Sequence, residues 1–324
     1  KKDNAFYTPN YLVEYILDHV TNGTLKAKQE FSVLDPACGS GVFLVNSYRR
    51  MVEEHLNGEQ YSKDDEMLKR LLTDNIFGVD INEAAVDVTI FSLYLTVLDY
   101  KNPKTLKGFK LPNLKGRNLF VGDFFDEEKM RVLERRHFDY IIGNPPWGNV
   151  KTGLHVSYCK KHGYSKMQQN NEICRSFVFR AKDFAPDHTT TCCFVLHSKI
   201  LYNKRQPAQE FRKFLLKNAK INGILELSAV RKLVFEQAKA PAAVLSFQFS
   251  MEQLSSNTIV YTTVMPNLFY KLFHVFVIEK RDIKYIPQEL LLSNDWAWKT
   301  VLFGTSFDVS IIKKLKNKFN RFQE

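Results

Sequence analysis

Phe31-Ser-Val-Leu-Asp35-Pro-Ala-Cys-Gly-Ser-Gly41 is the stretch on which the fold turns. A short apolar run ending in an acid reads as a buried strand, Phe31–Asp35. Glycines at 39 and 41 then let the backbone turn sharply and approach a ligand where a Cβ would collide. A helix with apolar periodicity follows from about Gly41 to Leu56. Strand, tight turn and helix open a parallel α/β unit. The turn alone does not name a ligand, since many strand-to-helix turns carry Gly-x-Gly. Leu44 also stands where a dinucleotide-binding Gly-x-Gly-x-x-Gly needs its third glycine.

Working outward, the pattern repeats. Upstream, Thr8 can cap a helix with Pro9 in its first turn and Asn22-Gly23 at its end; Leu12, Val13, Ile16, Leu17 and Val20 form its apolar face. Downstream, residues 57–66 read as a surface loop and Ile76–Asp80 as a second strand, with a helix after it to about Leu98. Further strands are expected at Leu119–Gly122, Phe138–Gly143, Thr191–His197, Ile221–Leu227 and Ala242–Phe249, with helices over 171–184 and 206–219. Such alternation predicts an α/β chain with a largely parallel sheet covered on both faces. Residues 148–170 read as a long polar, basic loop, and beyond about 251 the alternation decays into aromatic-rich segments.

Composition bounds the rest. The chain has 324 residues, 44% hydrophobic and 25% charged, the balance of a globular protein. No run of 18 uninterrupted apolar residues occurs, so no membrane partner is expected. The opening Lys1-Lys2-Asp3-Asn4 has neither a starting Met nor a signal-peptide pattern, and the chain is read as a piece of a longer protein. A formal net charge of +11 suggests a polyanionic partner; the run Lys313, Lys314, Lys316, Lys318 and Arg321 fits phosphate contact and a solvated helix face equally well. The five cysteines form no disulfide framework, which implies a reducing, cytoplasmic setting. His155, Cys159, His162 and Cys174 match no standard zinc spacing, so no metal is expected.

Chemistry is expected just after the strands, because ligands of open parallel sheets bind at the carboxyl ends. Asp80 ends the second strand, where an acid can accept from ribose hydroxyls or cap the next helix; Ile81 follows it. Gly122-Asp-Phe-Phe125 ends the third, with Asp123 able to accept from an adenine amino group and Phe124 able to flank the ring. The most specific signal closes the fourth: Asn144, Pro145, Pro146 and Trp147. Two prolines fix a rigid turn that orients the Asn144 amide and the Pro145 carbonyl, and Trp147 offers a flat face beside them. Two acceptors and a stacking platform are what an aromatic amine needs.

With these residues in order, the chain resembles the gamma-class DNA N6-adenine methyltransferases of restriction-modification systems (type I modification subunits and type IIG-like enzymes). The matching elements are Phe6-Tyr-Thr-Pro9, Asp35–Gly41, Gly78-Val-Asp-Ile81, Gly122–Phe125 and Asn144–Trp147, with Val234-Phe235 through Pro241 like the later element that supplies a second aromatic. The resemblance implies a Rossmann-like S-adenosylmethionine-dependent methyltransferase fold with a mostly parallel seven-stranded sheet. It implies a catalytic domain over 1–250, with 1–30 a helical lead-in, and an extension over 251–324 toward a target-recognition region. Tyr7, Thr8 and Pro9 would hold the methionine end of S-adenosylmethionine; Asp35, Pro36, Ala37, Cys38, Gly39 and Gly41 would cradle it. Asp80 and Ile81 would bind its ribose side, and Asp123 and Phe124 its adenine. Asn144, Pro145, Pro146, Trp147 and Phe235 would hold the flipped target base. Trp147 replaces the more usual Tyr or Phe, and His197 stands where relatives carry proline. Double-stranded DNA, and a specificity or endonuclease subunit, would be the partners. Two alternatives stay open: a methyltransferase acting on RNA guanine or protein glutamine, and an inert DNA-binding subunit on the same fold.

Overall fold

The computed structural model describes residues 8–21, 30–168, 172–186, 188–235, 240–250, 252, 254–273 and 275–319. Tyr7, Asn22-Gly23, residues 236–239 and Arg321 therefore lie outside the described residues. The chain divides into two compact units: Lys1–His162 with Asn171–Phe194, and Gly163–Asn170 with Val195–Glu324.

In the first unit the order is α1 (Asn10–Thr21), β1 (Val33–Asp35), α2 (Val42–Leu56), α3 (Asp65–Asn75), β2 (Ile76–Asp80), α4 (Glu83–Tyr100), β3 (Leu119–Val121), α5 (Glu127–Glu134), β4 (Tyr140–Gly143), α6 (Leu154–Lys161) and α7 (Ile173–Ala181). Strand β5 (Thr191–His197) then runs on into the second unit. The strands lie in the order β3-β2-β1-β4-β5, every pairing parallel. All residues of β1, β4 and β5 are buried, as strands covered on both faces must be. Strand order reverses between β1 and β4, so the crevice for a ligand opens at their carboxyl ends.

Three expectations need correction here. The helix start falls one residue later than expected: the Val13 N–H bonds to the Pro9 carbonyl at 3.1 Å, so Pro9 holds the cap position rather than Thr8. Asn82, not Asp80, caps α4, its Oδ1 accepting from the Ala84 N–H at 3.0 Å. Residues 148–170, read as loop, contain α6. That helix buries His155, Tyr158 and Cys159, a face without aliphatic residues that gives little apolar period to read. Cys159 lies 3.4 Å from the Ser176 hydroxyl and His162 pairs with Glu127 at 3.0 Å, a core contact and a surface one.

Arg180 on α7 fastens the loop after β3. Its guanidinium, 1% exposed, donates to the Phe124 carbonyl at 3.2 Å, Asp183 at 2.6 Å and Glu134 at 2.5 Å, and lies over the Phe124, Tyr158 and Phe184 rings. Arg180→Ala strands these acceptors and empties the space the side chain fills. The expected loss is about 3 kcal/mol, read as an earlier thermal midpoint; an unchanged midpoint would show that solvent replaces the guanidinium without cost.

The second unit carries β6 (Ala219–Glu226), β7 (Ala242–Phe249), β8 (Thr258–Thr263) and β9 (Ile283–Pro287) in the order β7-β6-β8-β9. β6 is antiparallel to β7 and parallel to β8, and β9 is antiparallel to β8. Around them are α8 (Lys199–Tyr202), α9 (Gln206–Asn218), α10 (Arg231–Val234), α11 (Leu268–Phe273), α12 (Gln288–Ser293), α13 (Asp295–Phe303) and α14 (Ser306–Lys318). The seven expected strands are all present; β8 and β9 bring the described strands to nine. Their inward positions include Thr262, Thr263 and Lys284, polar residues that erase the apolar alternation. Gln288 ties this unit together from inside, donating to the Leu216 and Ala219 carbonyls and accepting from the Ile221 N–H. Lys313, Lys314 and Lys318 are exposed on α14.

Candidate active site at the carboxyl ends of the parallel strands

β1 ends in Asp35 and β4, its neighbour, in Gly143. A Cβ on Gly143 would lie 2.6 Å from Asp35 Oδ1 and 3.3 Å from Pro36 Cδ, so the two strand ends meet at a spacing only glycine permits. Asp35 is 1% exposed and its Oδ1 accepts the Ala37 N–H at 3.0 Å. Burial, reinforced by the charge of Asp80, pushes its carboxyl up to about 8.

The turn that follows is pinned to β2. The Cys38 N–H donates to the Val79 carbonyl at 2.9 Å, and the Gly39 N–H to Asp80 Oδ2 at 2.8 Å. Gly41 sits at φ 80°, and a Cβ there would come within 2.6 Å of Thr89 Cγ2; Thr89 in turn donates to the Gly39 carbonyl at 2.8 Å. Cys38 is buried, and burial together with Asp35 and Asp80 pushes its thiol well above the usual range, the opposite of a nucleophile. Ala37, Cys38, Gly39 and Gly41 thus all direct their N–H groups to partners inside the protein. A phosphate-binding turn keeps such groups for its anion; this one faces carboxylates instead.

Asp80 braces two loops, its Oδ1 accepting the Asn82 N–H at 2.8 Å. Each carboxylate oxygen has a second lone pair, so the group retains capacity for hydroxyl donors. Ile81 beside it is 74% exposed, an apolar side chain standing in solvent at the strand end. The Gly122 N–H donates to the Asp80 carbonyl at 2.9 Å, which brings the loop after β3 alongside. There Asp123 Oδ1 accepts the Phe125 N–H at 2.9 Å. The Phe124 ring turns inward: it is 2% exposed, stacked on Phe184 at 4.7 Å and Phe177 at 5.5 Å between centroids. At this strand end it is Asp123, not the Phe124 ring, that faces outward.

Asn144 follows Gly143, and its Nδ2 donates to Thr8 Oγ1 at 3.2 Å. Pro145 and Trp147 are buried, with Trp147 5% exposed, and Pro146 half-buried. Beyond Trp147 the Gly148 carbonyl accepts the Ile173 N–H at 3.0 Å, fastening the turn to α7. Four contacts therefore link the strand ends in a row: Thr8 to Asn144, Gly143 to Asp35, Gly39 to Asp80, and Asp80 to Gly122. Phe235 belongs to the second unit, where it is 4% exposed and its N–H donates to the Arg231 carbonyl at the end of α10. His197 is the buried last residue of β5. Thr89 and Arg180 shape the site without a sequence signal, since each acts on a partner far along the chain, and Asn82 is a local cap beside Asp80, the acid that the strand-end reading singles out instead.

An adenine-specific methyltransferase PglX of Streptomyces coelicolor is 36% identical over 179 residues, covering 44% of this chain and 14% of that protein. A type I restriction enzyme MjaVII methylase subunit of Methanocaldococcus jannaschii is 28% identical over 146 residues, covering 45% of this chain and 19% of its own. The chain thus spans less than a fifth of the length of these relatives. The cryo-electron microscopy structure of a DrdV–DNA complex superimposes with a TM-score of 0.62 at 16% identity, covering 87% of this chain and 30% of that one, and so shares the Rossmann-like methyltransferase fold. The family model of the Eco57I restriction-modification methylase matches residues 74–235, half of the sequence and most of the strand ends just described. The chain belongs to the Eco57I restriction-modification methylase family.

Proposed function

We propose that this chain is the catalytic part of an S-adenosylmethionine-dependent methyltransferase acting on the N6 amino group of adenine in double-stranded DNA. The observation that carries the reading is the row of contacts joining the acidic first turn to the Asn-Pro-Pro-Trp turn. That row supports a site for a cation-bearing nucleoside next to acceptors suited to an aromatic amine.

The first turn favours that cofactor over a dinucleotide. Asp80 and Asp123 set carboxylates where a phosphate would be repelled, and the N–H groups of Ala37, Cys38, Gly39 and Gly41 are already engaged. S-adenosylmethionine has no phosphate, carries positive charge, and offers ribose hydroxyls for Asp80 and an adenine that Ile81 and Asp123 can border. When bound it supplies a methyl already activated on sulfonium. The residues of this chain then have a positioning task. Asn144 and the Pro145 carbonyl accept from the target amine and draw its lone pair out of conjugation, and alignment alone can contribute roughly 7–11 kcal/mol. A base inside a duplex cannot reach such a turn, so it must be flipped out, at a cost of a few kcal/mol of unstacking. Trp147 is an aromatic candidate to receive it and must turn a face outward to do so; Phe235 is the second aromatic that the resemblance suggests. The charge of +11 supports a DNA partner, with affinity falling steeply as salt rises. Relatives named as adenine-specific and restriction-modification methyltransferases support the substrate over RNA guanine, protein glutamine or an inert role. We assign 1–250 to catalysis and 251–324 to the lead toward target recognition, with a specificity or endonuclease subunit as a further partner. Among the described residues no helix is long and apolar enough to cross a membrane.

Asp35 gives this reading a pH signature. Its carboxyl, raised to about 8 by burial and by Asp80, is largely protonated at neutral pH without ligand. Because the folded value lies above the unfolded one, its contribution to stability is lost as pH rises from about 4 through 8. A bound cation favours the ionised form, so binding releases a proton and affinity climbs toward pH 8. Calorimetry of S-adenosylmethionine binding should show the dissociation constant falling between pH 6 and pH 8, by up to about tenfold per unit, with Asp35→Asn flattening the slope. A flat profile in the unmodified protein would contradict the cationic site.

The acceptor class is tested with the full-length protein and methyl-labelled S-adenosylmethionine, offered duplex DNA, ribosomal RNA and a protein lysate. Label in DNA is the expected result; label in RNA or protein would keep the cofactor site and replace the substrate.

A further inference from the structure

We infer that Glu226 and Ser198 are positioning residues: together they tie the two ends of the segment from Leu227 to Ala242 and so fix where Phe235 stands. The tie itself is independent of the reaction. Only the part that Phe235 would play at a flipped base rests on the proposed methyl transfer.

The segment leaves the end of β6 and returns at the start of β7, and its ends meet. The Leu227 N–H donates to the Ala242 carbonyl at 2.9 Å. Ser198, fully buried just after β5, reaches both ends. Its N–H donates to the Pro241 carbonyl at 2.8 Å, and its hydroxyl lies 2.8 Å from that of Ser228. Glu226, the last residue of β6, is fully buried as well. Its Oε1 accepts the Ser228 N–H at 3.0 Å and the Ser228 hydroxyl, Ser198 bonds to it too, and Tyr261 of β8 donates to Oε2 at 3.4 Å. A loop tied at both ends keeps far fewer conformations than a free one. Within this one Val230 is buried, and Phe235, 4% exposed, ends α10 with its N–H on the Arg231 carbonyl. An acid closing a buried strand is the pattern of Asp35 and Asp80, but Glu226 spends its acceptors on hydroxyls of its own unit.

The tie responds to pH. Burial pushes the Glu226 carboxyl up to about 7, against the pull of the serine and tyrosine donors. Tyr261 faces it from β8, with Tyr202 of α8 acting on Tyr261, and His197 is buried one residue before Ser198. Lys284 of β9 donates elsewhere, to Thr263 Oγ1 at 3.3 Å and to the Val301 carbonyl, with Asp282 and Asp308 as its further charges. Opening the neck wets Glu226 and returns it toward its ordinary value of 4.5. Because the closed value lies above the open one, closure is strongest below about pH 4.5 and weakens as pH rises through about 7. Glutamine has the same shape and no charge, and should abolish that slope.

The test is hydrogen exchange of the full-length protein, read by mass spectrometry on peptides covering 228–241. Corrected for the intrinsic effect of pH, protection should fall about tenfold between pH 6 and pH 8 in the unmodified protein and stay level in Glu226→Gln. At pH 6, Ser198→Ala and Glu226→Ala should each lose about fivefold in protection, the loss of one hydrogen bond or more, while peptides over 76–100 exchange as before. Glu226→Gln should retain the protection that Glu226→Ala loses. Unchanged exchange in Ser198→Ala overturns the tie, and a slope that persists in Glu226→Gln overturns Glu226 as its source. Both results stand even where Glu226→Ala loosens the whole second unit.

Kinetics test the consequence for Phe235. Ser198→Ala should raise KM for DNA about threefold to tenfold, with kcat and the dissociation constant for S-adenosylmethionine within about twofold of normal. Lost protection with an unchanged KM for DNA would overturn the positioning of Phe235. No methyl transfer from the unmodified protein, with exchange behaving as expected, would count against the proposed reaction while upholding the tie.

Discussion

Asn144→Ala should reduce methyl transfer by at least roughly 10²–10³-fold, the range seen when one preorganised hydrogen-bonding group is removed from a reacting centre. Cofactor affinity should change by less than about threefold. The separation follows from where Asn144 sits. It follows β4, whose end meets the first turn at Gly143 against Asp35, and its side-chain Nδ2 donates to Thr8. The truncation leaves Pro145 and Pro146 to hold the backbone, so the turn itself should persist. Single-turnover rates and calorimetry on the same preparation check both halves. Equal loss of transfer and of cofactor binding would remove Asn144 from its proposed role and make it part of the cofactor site.

Asp80→Ala is expected to do the reverse. The carboxylate accepts the Gly39 N–H and the Asn82 N–H, both at 2.8 Å, and so holds the first turn and the start of α4 while facing the proposed ribose. Hydrogen bonds to a charged acceptor contribute about 1.5–3 kcal/mol each. Losing those to a ligand should weaken S-adenosylmethionine binding by about 10²-fold. The stranded N–H groups should also lower the thermal midpoint of the free protein. Asp80→Asn retains one acceptor and should fall between. At saturating cofactor the chemical step of Asp80→Ala should recover to within about tenfold of normal. An unchanged dissociation constant would show that Asp80 serves only as a brace.

The two variants also show what the sequence made legible. Asp35, Asp80, Asp123 and Asn144 could be found because each closes a short apolar run, and the end of a parallel strand is where chemistry concentrates. That logic needs only local pattern, and it led to all seven strands of the expected sheet. It fails where burial is polar. Strands β8 and β9 hide behind Thr262, Thr263 and Lys284, and α6 behind His155, Tyr158 and Cys159. It fails again where orientation depends on partners distant in sequence. Phe124 carries the right chemistry to flank an adenine, yet Phe177, Phe184 and Arg180, more than fifty residues away, draw its ring into the core. Thr8 looked like a helix cap because it precedes an apolar-periodic run, and only the folded chain sets its hydroxyl against Asn144, 136 residues on.

The central claim is the acceptor atom, and one product analysis tests it most directly. Full-length protein is incubated with methyl-labelled S-adenosylmethionine and duplex DNA, the DNA is digested to nucleosides, and the labelled nucleoside is identified by mass. The account requires N6-methyldeoxyadenosine from the unmodified protein and none above background from Asn144→Ala. Label on a cytosine, or on adenine in equal amount with Asn144→Ala, would contradict it.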